Sequence, residues 1–112
     1  LKGMAVNKSA FTPADIEAYK DAAAKRGALT AALNYYRNML QQGMTNPNWG
    51  VLNVPTLMIW GEKDTALGRE LSYGTATYVN PFQVRYIPDA SHWVQQEKPE
   101  LVNEYMREFL SS

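Results

Sequence analysis

The residues predict an α/β chain: a helical first half, then strands that should pair in a parallel sheet. Three observations carry this. From Thr12 to Gln42, apolar residues recur at helical spacing. Two short apolar runs, Val54 to Trp60 and Phe82 to Ile87, read as strands. Each strand is followed by a loop and then by helical sequence, and that alternation points to parallel pairing.

The first helix opens at Thr12-Pro13-Ala14-Asp15. Thr12 can cap it, Pro13 suits the first helical position, and Asp15 stands where a capping box wants an acid. Ile16, Tyr19, Ala23 and Ala24 follow at helical spacing, and Gly27 closes the helix. A second helix is expected from about Leu29 to Gln42, with Leu29, Leu33, Tyr36 and Leu40 near one face and Gly43 at its end. Met44 to Gly50 is rich in turn formers and reads as a seam. Residues 1–50 are thus assigned to a helical part with its linker, and residues 51–112 to a β/α part.

Val54-Pro55-Thr56-Leu57-Met58-Ile59-Trp60 is almost wholly apolar and is broken by Gly61. This is the pattern of a strand buried on both faces. Glu62 to Thr65 is a polar loop. Gly68 to Tyr78 reads as a helix, which Gly74 weakens. Asn80-Pro81 is a stop, and Phe82 to Ile87 alternates as the next strand. Pro88 to Trp93 is a loop. Pro99 to Leu110 is a final amphipathic helix with Leu101, Val102, Tyr105, Met106 and Phe109 inward. Two parallel strands do not make a stable isolated sheet, so further sheet partners are expected. The first residue is Leu1, and Leu1 to Ala10 shows no clear period, so the expectation is a piece of a longer chain.

Composition sets the outer limits. Of 112 residues, 46% are apolar and 20% charged, an ordinary globular mixture. The 11 basic and 11 acidic residues balance without a basic patch, so no nucleic acid partner is expected. The absence of cysteine removes disulfides and thiolate metal sites, and it favours the cytoplasm. With His92 as the single histidine, a multi-histidine zinc site is excluded, and no metal is expected. No apolar run is long enough to cross a bilayer, and no signal peptide is seen.

In open α/β sheets, functional groups sit on loops beyond the carboxyl ends of strands. Asp64 follows the first strand and His92 the second. Adjacent parallel strands would bring the two loops together. A carboxylate beside an imidazole orients the ring and stabilises its charged form, leaving the other ring nitrogen free to act as a base. Taken singly, a loop aspartate is more often a turn or cap residue, and a loop histidine is more often structural or exposed. The joint placement is what gives weight to the catalytic reading.

Two motifs then carry a resemblance. Val54 to Asp64 is similar to the acid-bearing strand and loop of α/β-hydrolases. Ala90-Ser91-His92-Trp93-Val94-Gln95-Gln96-Glu97-Lys98-Pro99-Glu100-Leu101-Val102 resembles that family's histidine loop and closing helix. Leu29-Thr30-Ala31-Ala32-Leu33-Asn34-Tyr35-Tyr36-Arg37-Asn38-Met39, with Phe11 to Tyr19 before it, resembles the end of the helical cap in epoxide hydrolases. The resemblance implies the C-terminal part of an α/β-hydrolase core (residues 51–112) preceded by cap helices (residues 1–50). It makes Asp64 the triad acid, His92 the base, and Tyr36 the donor to the epoxide oxygen. A phenol suits that task because it stays protonated at neutral pH while the opening ring develops an alkoxide. On spacing alone, Tyr36 reads first as a core tyrosine of an amphipathic helix. Tyr35 takes a more structural role, and Arg37 reads as a solvated helix residue or a cap anchor. Trp60 and Trp93 read first as packing residues, Trp93 also as a wall of the substrate pocket beside His92. Glu62 is the lesser candidate for the acid. Two departures stand out: Ala31-Ala32 where related caps often carry Gly-Pro, and Ser91 where glycine commonly precedes the histidine.

The implied chemistry has two steps. An aspartate on a strand-to-helix elbow attacks an epoxide carbon and forms an alkyl ester. His92, steadied by Asp64, then activates water to release a vicinal diol. No cofactor is implied; the partners are a small-molecule epoxide and water. A homodimer, and a membrane anchor upstream of Leu1, stay open. No nucleophile elbow, oxyanion loop or second cap tyrosine is found in this sequence. Taken alone, the chain is therefore expected to be inactive and poorly stable. The competing readings are a dehalogenase or serine esterase of the same fold, and a non-catalytic binding module.

Overall fold

The computed structural model describes residues 2–41 and 50–112. These fall into two compact units, one of residues 2–10 with 50–112, the other of residues 11–41. The opening segment, read above with the helical part, therefore groups with the strands.

In the helical unit, α1 spans Pro13–Ala24. Thr12 and Asp15 form the expected reciprocal capping box, the Asp15 amide donating to Thr12 Oγ1 at 3.1 Å and the Thr12 amide to Asp15 Oδ2 at 2.9 Å. Gly27, at φ +82°, takes the left-handed turn that few side chains tolerate, and α2 follows over Ala28–Gln41. The expected stripe of Leu29, Leu33, Tyr36 and Leu40 is present but exposed. The expected stop at Gly43 lies outside the described residues, as does all of the seam but Gly50.

In the other unit, β1 (Thr56–Gly61) and β2 (Phe82–Ile87) pair in parallel, in register from Thr56 opposite Phe82 to Gly61 opposite Ile87. β1 begins two residues later than its apolar run because Val54 and Pro55 are exposed and proline has no amide to donate. Its residues from Thr56 to Trp60 are half-buried rather than buried on both faces. One face shows why: Leu57 and Ile59 line an open apolar groove of about 440 Å³ with Met106, Phe109 and Leu110.

The crossover between the strands holds no α-helix. The expected helix over Gly68 to Tyr78 is replaced by two short 3-10 turns, Arg69–Ser72 and Thr75–Thr77. Gly74 separates them at φ +78°, a left-handed conformation that no continuous helix contains. A short α3 (Val94–Glu97) leads into α4 (Pro99–Ser111). On α4, Val102 is buried, and Leu101, Tyr105 and Phe109 are half-buried, but Met106, expected inward, is exposed at the groove. The core consists of Ile87, Ala90 and Val102, packed by Ile59, Val94, Leu101 and Tyr105. It includes Ile87 at the end of β2 and Ala90 of the loop that follows, so that loop is anchored in the core.

Candidate active site

The parallel register sets the ends of β1 and β2 side by side, and the backbone then sews their loops together. The Glu62 amide donates to the Ile87 carbonyl at 2.9 Å, and the Lys63 amide to the Ala90 carbonyl at 3.0 Å. Asp64 is thereby held beside His92, and His92 Nδ1 lies 2.7 Å from Asp64 Oδ2. The other carboxylate oxygen, Oδ1, accepts the amides of Ala66 and Leu67, each at 2.9 Å.

The Asp64 side chain is only 6% exposed, whereas that of His92 is 38% exposed. Burial alone would push the Asp64 carboxyl up. The Leu67 amide, the His92 hydrogen bond, the Ala66 amide and the attraction of a charged ring outweigh it and hold the group below the usual carboxylate range. Asp64 thus stays an acceptor at neutral pH. It fixes Nδ1 as the protonated nitrogen and leaves Nε2 with a lone pair, the arrangement of a general base with its orienting acid.

A cavity of about 240 Å³ opens on this pair, lined among others by Ile59, Trp60, Leu67, Val94 and Gln95. Trp93 does not line it. Its ring instead meets the His92 ring edge-on, with centroids 5.2 Å apart. Trp60 does line it, and its buried Nε1 has no hydrogen-bond acceptor among the described residues. Glu62 is bound by Arg69, whose guanidinium also lies 4.7 Å over the Tyr86 ring. Tyr36 belongs to the helical unit, exposed on α2, with Tyr35 edge-on to it at 5.9 Å. Arg37 there donates to Asn34. Among the described residues, no cluster of three or more histidine, aspartate or glutamate side chains could hold a metal ion. Among the described residues, no helix is long and apolar enough to cross a membrane.

One buried residue bonded to the histidine loop was given no role of its own in the sequence reading. Glu97 is buried at 5% exposure and bonded to Ser91, the neighbour of His92. Its signal in the sequence was faint: a lone carboxylate ending the turn Val94-Gln95-Gln96-Glu97, five positions past the histidine.

The structure superposes on a solved epoxide hydrolase of Bacillus megaterium in complex with an inhibitor, with a TM-score of 0.83 and 32% identity. That match covers 96% of this chain and 40% of the solved one. This chain has the C-terminal part of the α/β-hydrolase fold. The relatives agree. Over 97 residues the chain is 41% identical to epoxide hydrolase 3 of Xenopus tropicalis, covering 86% of this chain and 26% of that protein. Over 110 residues it is 36% identical to the AB hydrolase superfamily protein YfhM of Bacillus subtilis, covering 98% of this chain and 38% of that one. No family model matches. The chain thus spans between about a quarter and two fifths of these α/β-hydrolases.

Proposed function

We propose that the full-length protein carrying this chain is an epoxide hydrolase that converts small epoxides to vicinal diols. The observation that carries the reading is the Asp64–His92 pair, 2.7 Å apart on the loops after two parallel strands. The similarity to proteins named epoxide hydrolases supports the substrate class.

In this reading an aspartate outside the chain attacks an epoxide carbon, the carbon–oxygen bond breaks, and an alkyl ester forms. Tyr36 gives a hydrogen bond to the departing oxygen as it becomes an alkoxide. His92 Nε2 then takes a proton from water, and the hydroxide adds to the ester carbonyl. The acyl–oxygen bond breaks, and the departing alkoxide takes the proton of the new carboxyl group. The proton held by His92 passes to the alkoxide of the first step, so the diol leaves and aspartate and imidazole are regenerated. Asp64 stabilises the imidazolium while it carries that proton. Trp93 acts on substrate only through the His92 ring, which it supports edge-on from outside the cavity. No cofactor enters. The cysteine-free sequence favours a cytoplasmic setting.

The test is product formation by the full-length protein on a styrene-oxide-type epoxide. Diol formation that falls on Tyr36→Phe supports the reading. Ester cleavage or dehalogenation without epoxide opening moves the assignment to an esterase or a dehalogenase, and diol formation indifferent to Tyr36→Phe removes Tyr36 from the mechanism.

A further inference from the structure

We infer that Glu97 is a positioning residue, whose carboxylate ties the opening segment, at Asn7, to the loop that carries His92 and so holds the imidazole against Asp64. The inference rests on the reading of His92 as the base.

A carboxylate buried to this degree is tolerated only when its oxygens are occupied. Here Oε1 accepts the Asn7 amide at 2.7 Å, and Oε2 accepts the Ser91 amide at 3.1 Å together with the Ser91 hydroxyl. Glu97 itself is fixed by its own amide, which donates to the Trp93 carbonyl at 2.9 Å. His92 therefore sits inside a closed ring of bonds running Ser91, Glu97, Trp93. On the other side of Ser91, Ala90 is fully buried and bonded to Lys63 of the acid loop. The backbone of His92 is thus held from both sides while its side chain stays exposed for chemistry.

An apolar side chain of similar volume could fill the same space at lower desolvation cost. It could not impose direction. Three donors from two distant segments converge on one carboxylate, which fixes where the loop can sit. Ser91 adds to this: where glycine would supply the amide alone, the serine hydroxyl gives Oε2 a second donor.

The test uses the full-length protein. Glu97→Gln replaces one acceptor oxygen by an amide donor and removes the charge. One converging N–H group is then left facing a donor, and the bond to the other loses its charge assistance, which loosens both segments. The expected result is a fall in kcat of up to ~10²-fold with KM nearly unchanged. Ester should accumulate, because the His92-dependent step is the one slowed. Amide exchange should rise roughly tenfold at Asn7 and Ser91 together. A purely structural role would lower the melting temperature and leave kcat per folded molecule as it was. That outcome, or exchange rising at one segment alone, overturns the inference. Ser91→Ala removes only the hydroxyl and covers the case in which Glu97→Gln does not fold. A several-fold loss of kcat per folded molecule supports the clamp, and an unchanged kcat overturns it. Failure to open any epoxide would sink the proposed function, whereas paired exchange at Asn7 and Ser91 would still decide the clamp.

Discussion

The Cα of Gly61 lies hard against the backbone of Ser91, so that a methyl group added to it would run into the carbonyl oxygens of Ser91 and Ala90. Gly61 ends the strand that leads to Asp64, and Ser91 precedes His92. The close approach of these two backbones is what lets the Asp64–His92 bond form.

Gly61→Ala should therefore damage both fold and activity. Backbone atoms cannot rotate out of the way, so the two loops must separate. Overpacking of this kind costs typically 1–3 kcal/mol. Thermal unfolding and kcat of the full-length variant check this: both should fall. A wild-type melting temperature would show that the loops are not in contact.

Gly74→Ala should behave differently. Nothing lies within 4 Å of a methyl group there, but φ is +78°. The expected cost is backbone strain, about 1–2 kcal/mol, with activity per folded molecule unchanged. Gly74→Asn should recover part of the loss, since asparagine accepts this conformation more readily. Equal melting temperatures for alanine and glycine would contradict the assignment.

The Asp64 carboxyl, held below its ordinary value of 3.8, links stability to pH. A depressed folded-state value means that the unfolded chain binds the proton more tightly. The stabilisation is thus fully present above the ordinary carboxylate range and is lost as pH falls through the lowered folded-state value. Between pH 7 and pH 3, wild type should lose more stability than Asp64→Asn, measured by denaturant unfolding at each pH. Parallel curves would contradict this. At neutral pH the same variant should cost several orders of magnitude in kcat, because an amide no longer fixes the ring tautomer.

Much of this was legible in the sequence, for physical reasons. β1 and β2 announced themselves because parallel strands packed on a core need continuous or alternating apolar runs, and the meeting of Asp64 with His92 because the loops past adjacent parallel strands lie side by side. The capping box at Thr12 and Asp15 is a purely local device and was readable for that reason. Gly68 to Tyr78 was not readable: its apolar spacing suits a helix, but Gly74 takes a left-handed turn that spacing cannot reveal. The role of Glu97 was hidden because its partner Asn7 lies at the opposite end of the chain, and long-range hydrogen bonds leave no period in a sequence. The start of β1 was misplaced by two residues because Val54 and Pro55 are apolar yet exposed.

The central claim is that His92, oriented by Asp64, activates the water of a hydrolytic second step. Its most direct test is the intact mass of full-length His92→Gln after incubation with a styrene-oxide-type epoxide. The account predicts a lasting adduct of one substrate mass on an aspartate upstream of this chain, with diol release stalled. A variant that turns over like wild type, or one that loses activity without ever carrying the adduct, would contradict it.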